Sequence, residues 1–188
     1  MDTNAWLWTT YANATQRVRP ERRQQLTAYT GYLQQCLQAG ALCHWCGLTL
    51  SELAHQIESA EYDIWNTAEK AAGRAGGWPK EFRHNFPAER ARVVQEIENA
   101  WQSVEALGTV LPVPLVVDHA ATTNALAEFK TLAVDGYDLF FLQAARASGV
   151  TQIITDDGDF CGVPGITLST SNRSVLTAAQ VQGKLLVR

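Results

Sequence analysis

Residues 138–159 constrain the fold more than any other stretch of this chain. Asp138 opens a helical pattern that runs to Ala147 and stops at Gly149. Residues 150–155 follow as a short apolar run, which ends in Asp156-Asp157-Gly158-Asp159. In a layered α/β arrangement, helix starts and strand ends share one edge. Asp138 and Asp157 are therefore expected at the same edge, beside Asp159.

The alternation recurs upstream. Pro20 suits the first turn of a helix carrying Leu26, Tyr29, Leu33 and Leu37 on one face, closed by Gly40. Residues 41–48 read as a buried strand, and Thr49 starts a helix with Leu53, Ile57 and Ala60 aligned. Residues 165–169 read as a further strand. Helices alternating with short apolar strands predict an α/β layer fold with a mainly parallel sheet.

Between 61 and 112 the pattern changes to a helical insertion. Gly73, Gly76, Gly77, Trp78 and Pro79 form a breaker-rich loop. A helix is expected over 88–107, with Val93, Ile97, Ala100, Val104 and Leu107 in a heptad-like seam. The seam is too short for a coiled coil, so it is expected to pack on its own domain or help to form a homodimer. Pro112 and Pro114 restrict 110–117 to an edge strand or linker, and Asp118 is expected to cap a helix through 132. At 188 residues the chain is little more than one typical domain of ~150, so one domain with an insertion is expected.

Charge is segregated within a net of −4. Residues 118–159 hold seven acids against two bases, whereas 70–92 hold six bases against two acids. Arg74, Lys80, Arg83, Arg90 and Arg92 make that second stretch the candidate phosphate-binding surface. The most apolar stretch, 110–117, is eight residues long, far short of the ~20 a membrane span needs. Met1-Asp2-Thr3-Asn4 lacks the positive start of a secretory signal, so a cytoplasmic protein with no membrane partner is expected.

Asp2-Thr3-Asn4, Ser51-Glu52-Leu53, Asp138 within Tyr137-Asp138-Leu139, and Thr155-Asp156-Asp157-Gly158-Asp159 occur in that order. Together they resemble the PIN-domain nucleases, in particular the VapC-like toxin ribonucleases. The resemblance touches both ends of the chain and leaves 61–112 outside it. It implies a three-layer α/β/α sandwich around a mainly parallel sheet. It also implies Asp2, Glu52, Asp138 and Asp157 as catalytic acids, assisted by Asn4, Thr155 and Asp159. The implied reaction is hydrolysis of single-stranded RNA with Mg²⁺ or Mn²⁺ on Asp2, Asp138 and Asp157, and an antitoxin protein is an implied partner. The family's first strand precedes its first Asp, whereas here only Met1 does; displacement of that strand would make the chain a catalytically silent module that binds RNA or a partner.

A metal is also expected on physical grounds alone. Two carboxylates ~5 Å apart repel by roughly 3 kcal/mol at an effective dielectric of 20, so a gathered set calls for a cation. Hard oxygen donors suit Mg²⁺ or Mn²⁺. Each acid also has a plainer role open to it. Glu52 fits a capping box with Thr49, Asp138 fits an N-cap, and Asp157-Gly158 fits a turn. Cys43 and Cys46 lack the further ligands of a zinc site and are expected to be buried thiols. The two Glu-x-x-His pairs, Glu52/His55 and Glu81/His84, lie on elements unsuited to a di-iron bundle. Trp65 and Trp78 lie near basic residues and offer faces for stacking on unpaired bases, although core packing is the expected use of most of the six tryptophans.

Overall fold

The computed structural model describes residues 1–16, 18 and 20–186. The chain is mixed α/β and mostly helical. Its elements are α1 (Thr3–Thr10), α2 (Pro20–Gln38), β1 (His44–Trp45), α3 (Gly47–Ala71), α4 (Pro79–Asn85) and α5 (Pro87–Leu107). Then come β2 (Thr109–Val110), α6 (His119–Glu128), α7 (Gly136–Ala147), β3 (Gln152–Ile154), a 3₁₀ turn (Asp159–Gly162), β4 (Thr167–Ser169) and α8 (Arg173–Val181). β1 pairs with β2 and β3 with β4, both in parallel. Among the described residues the strands thus form two separate pairs instead of one sheet.

Several boundaries differ from the sequence expectation. The strand expected over 41–48 shrinks to His44–Trp45 because α3 begins at Gly47, capped by Cys46. The strands expected over 150–155 and 165–169 contract to Gln152–Ile154 and Thr167–Ser169, and the helix expected to reach 132 ends at Glu128. Helix α1 was not legible as a periodic pattern: Ala5, Trp6 and Leu7 are consecutive and all buried. Helix α3 runs unbroken through 61 to Ala71, so the insertion grows out of a helix that also serves the body of the domain. Pro79 and Pro87 open α4 and α5, where a helix needs no amide donor.

The heptad-like positions of α5 are used within the chain. Val93 packs on Trp65 and Phe82, while Ala100 and Val104 join a core with Trp6, Leu33, Leu53 and Ile57. A second core gathers Leu139, Leu142, Ile153, Phe160, Val163, Leu168 and Val175. Gly108 lets β2 approach β1, since a Cβ there would lie 2.9 Å from both the Cys43 carbonyl and the Trp6 ring. All four cysteines are buried free thiols. Among the described residues, no helix is long and apolar enough to cross a membrane.

The two strand pairs meet at residues 1 and 2. The Met1 nitrogen donates to the His44 carbonyl at 2.9 Å, and the Asp2 amide donates to the Ile154 carbonyl at 3.0 Å. The Cys43 and Trp45 carbonyls face β2, accepting from Thr109 and Leu111 at 2.8 Å. Carbonyls alternate along a strand, so His44 points the other way, into the gap between the pairs. On β3 the Thr155 amide donates to Ser169 in β4, and Ile154 likewise points into the gap. Ala41 to His44 and Gln152 to Ile154 line the narrow cleft behind Met1. Met1 and Asp2 hold the place between β1 and β3 that a middle strand would occupy.

Candidate metal centre

Five acids converge where α1, α3, α7 and the turn after β3 begin. Asp2 occupies the N-cap position of α1 without a side-chain capping bond, Glu52 sits in the second turn of α3, and Asp138 lies in the first turn of α7. Asp157 and Asp159 follow β3. Carboxylate oxygens of Asp138, Asp157 and Asp159 all lie within 4.8 Å of one another, with Asp138 buried and Asp159 exposed.

The capping roles open to Glu52 and Asp138 fall to other residues. At α3 the Cys46 amide donates to Thr49 Oγ1 at 3.2 Å and the Thr49 amide returns to the Cys46 carbonyl, so Glu52 caps nothing. At α7 the N-cap is Asp135, whose Oδ1 accepts from the Asp138 amide at 2.9 Å. Asp138 is thereby relieved of capping. Asp157 alone does local work, its Oδ1 accepting from the Asp159 amide at 2.9 Å.

Thr155, fully buried, links two of the acids. Its Oγ1 accepts from the Asp157 amide at 2.8 Å and donates to Asp2 Oδ2 at 2.8 Å. Asp156 turns the opposite way, where Tyr29 Oη donates to its Oδ1 at 3.0 Å and Arg22 forms an ion pair with Oδ2. Alternation after the strand thus sends Asp157 to the cluster and Asp156 to α2. Glu52 accepts from Gln56 Nε2 at 3.1 Å. Asn4 is half-buried on α1 and lines a groove leading away from the cluster.

Crowding is visible in the proton affinities. Burial first, then Asp2, Asp135, Asp157 and Glu52, push the Asp138 carboxyl up to about 9. Burial raises Asp2 to about 7, against the opposing hydrogen bond from Thr155. Glu52 is raised by burial and by Asp135 and Asp157, and Asp159 by burial and the same two neighbours. Among the described residues, no lysine or arginine ion pair reaches Asp2, Glu52, Asp138, Asp157 or Asp159.

The donor set fits a hard divalent cation. Two oxygens on opposite sides of an ion lie at twice the metal–oxygen distance, roughly 4.2 Å for Mg²⁺ and up to ~5 Å for Ca²⁺. A triad within 4.8 Å spans that range. Asp159, expected only as an auxiliary acid, belongs to the tight group, whereas Asp2 stands beside it with one oxygen held by Thr155. Asp135 is the acid that the sequence reading missed. Its signal was Asp135-Gly136-Tyr137-Asp138, an N-cap residue three positions before an acid.

The basic stretch has a different character. Arg74 pairs with Glu69, Arg83 and Arg90 with Glu58, and Arg92 with Glu61 and Glu89. Lys80 is exposed on α4. Trp65 is buried against Phe82 and Phe86, which removes it as a stacking platform, while Trp78 is 75% exposed.

Fold and centre together define a mixed α/β protein with an acidic site able to hold a metal ion. Comparison with known protein families, curated proteins and solved structures returned no match.

Proposed function

We propose that this chain is a metal-dependent endoribonuclease of the PIN-domain type, hydrolysing phosphodiester bonds of single-stranded RNA. The observation that supports it most is the convergence of Asp2, Glu52, Asp138, Asp157 and Asp159 from four elements, with the caps of α3 and α7 supplied by Cys46 and Asp135. On this reading β2-β1 and β3-β4 are two halves of one parallel sheet, with helices on both faces and 61–112 as an insertion in a single domain. The ion is Mg²⁺ or Mn²⁺, and the setting is cytoplasmic. An antitoxin protein and a second copy of the chain are the proposed partners, and Arg74, Lys80, Arg83, Arg90 and Arg92 the proposed RNA contacts. Contact with RNA would require the arginines to exchange their present acidic partners for phosphates.

A bound cation would supply positive charge to the phosphodiester and acidify an attacking water. The protein's own contribution starts with Asp138, which keeps its proton near neutral pH until positive charge arrives and then becomes a ligand. Thr155 holds Asp2 and the Asp157 backbone in one register, so their carboxylates do not swing apart. Glu52, half-buried with a raised proton affinity and steadied by Gln56, is placed to take a proton from water.

The test is cleavage of a varied single-stranded RNA pool by wild-type protein and by Asp138→Asn, with Mg²⁺ or Mn²⁺ and with chelator. The amide preserves size but not charge, so cleavage should vanish while the fold persists. A wild type that binds RNA yet never cleaves would instead be a silent PIN-like module.

A further inference from the structure

A groove of about 440 Å³ runs between α1 and α3, starting beside the acidic centre. Leu7, Trp8 and Tyr11 line one wall, and His55, Gln56 and Ser59 the other. Gln56 belongs to both places, because its Nε2 also donates to Glu52 Oε1 at 3.1 Å. Asn4, two residues after Asp2, lines the groove as well.

We propose that this groove is a subsite for one unpaired nucleobase adjoining the bond that is cut; the class of ligand rests on the nuclease reading above. The wall chemistry carries the choice. Trp8 is partly exposed, and an indole face accepts any base by stacking. The carboxamides of Asn4 and Gln56 each combine donor and acceptor, the pairing that a base edge presents. Gln56 spends one hydrogen on Glu52 and retains a second hydrogen and its carbonyl. Tyr11 is not available to the ligand as a donor, since its hydroxyl is committed to Glu61 at 2.5 Å. Because Gln56 touches the acid and lines the groove, a base seated there would place its own phosphate within a nucleotide's reach of the carboxylates.

The experiment is photo-crosslinking of a short single-stranded oligoribonucleotide carrying 4-thiouridine to the full chain in chelator, with the adducts mapped by mass spectrometry. Adducts are expected on peptides containing Trp8 or His55. Trp8→Ala should weaken binding of the same oligonucleotide about tenfold, the lower range for loss of one stacked base, and Trp8→Phe should restore most of it. Should Trp8→Ala fail to fold, Gln56→Ala carries the test through a changed base preference at the position beside the cut. Adducts confined to residues outside 4–18 and 55–60, or a folded Trp8→Ala with unchanged affinity, would overturn the subsite. Cleavage without groove adducts would sink this proposal and leave the nuclease reading standing. Groove adducts with no cleavage would overturn the nuclease reading and with it the placement beside a cut bond, leaving a groove that only binds a base.

Discussion

The acidic centre and the basic insertion treat charge in opposite ways. On α3, α4 and α5, Glu58, Glu61, Glu69 and Glu89 each meet an arginine, so the four arginines of the basic stretch are all paired with acids. At the helix starts and the turn after β3, no lysine or arginine ion pair reaches the five acids of the centre among the described residues. Burial and mutual repulsion raise Asp2 to about 7, against the Thr155 hydrogen bond and the N-terminal ammonium, and Asp138 to about 9. A chain that supplies counter-ions so readily in one place and withholds them in another leaves an opening for a charge from outside. Paired surface ions describe scaffolding; gathered, uncompensated carboxylates describe a binding site.

The largest expected effect comes from breaking the unpaired side of this contrast. Asp138→Asn should abolish metal-dependent RNA cleavage, and the metal-free melting temperature near neutral pH should stay at or above that of wild type, because the amide can be buried without the proton uptake that Asp138 requires. Loss of folding in this variant, read by circular dichroism, would mean that Asp138 is structural.

A cation should sharpen the contrast next, and in a pH-dependent way. Asp2 and Asp138 bind protons more tightly folded than unfolded, so the stability they contribute is full below pH ~4 and is lost as pH rises toward about 7 and 9. The metal-free melting temperature should therefore fall across that window. Mn²⁺ at a hundred times its dissociation constant should restore ~2.7 kcal/mol, roughly 5–10 °C for a chain of this size, at pH 8 and much less at pH 5. An ion effect equal at both pH values would place binding elsewhere.

On the paired side, Glu61 is the deepest member, 2% exposed and bonded to Tyr11, Asn13 and Arg92. Glu61→Ala should cost ~2–3 kcal/mol in urea unfolding, since it leaves the Tyr11 hydroxyl and Asn13 amide without their acceptor. The exposed pairs come last: Arg83→Ala should cost under ~1 kcal/mol. If the insertion does touch RNA, the same change should lower the salt slope of binding by about 0.7, the value for one phosphate contact on a single strand.

Much of the centre was legible because strand ends and helix starts share an edge, a rule that needs only an approximate element boundary. Asp138 and Asp157 were found that way, and so was Glu52, although its helix starts two residues earlier than expected. What was not legible depended on caps. Cys46 is not among the usual N-cap residues, so residues 41–48 read as a full strand, and Glu52 gained a capping role that Thr49 in fact holds. Asp135 was passed over because Asp138 offered itself as the cap. Helix α1 gave no period because neighbouring residues all face core, with α2, α3 and α5 each packed against it. Of the two uses open to Trp65, stacking and core packing, the structure shows core packing, and sequence proximity to lysine and arginine could not decide it because its ring neighbours Phe82 and Phe86 lie 17 and 21 residues away.

The seam at Met1 and Asp2 gives the centre a mechanical meaning. Glu52 rises from the core built on Trp6, Leu53 and Ile57, whereas Asp138, Asp157 and Asp159 belong to the half built on Leu139, Phe160 and Leu168. Two hydrogen bonds from the first two residues, with Thr155 clasping Asp2, stitch those halves together at the level of the acids. An ion on the Asp138, Asp157 and Asp159 triad that also drew in Asp2 or Glu52 would tie the two halves together and raise the free energy of opening either. Amide exchange at Asp2 and Asp157, whose acceptors Ile154 and Thr155 both lie at the end of β3, would then slow together when the ion binds.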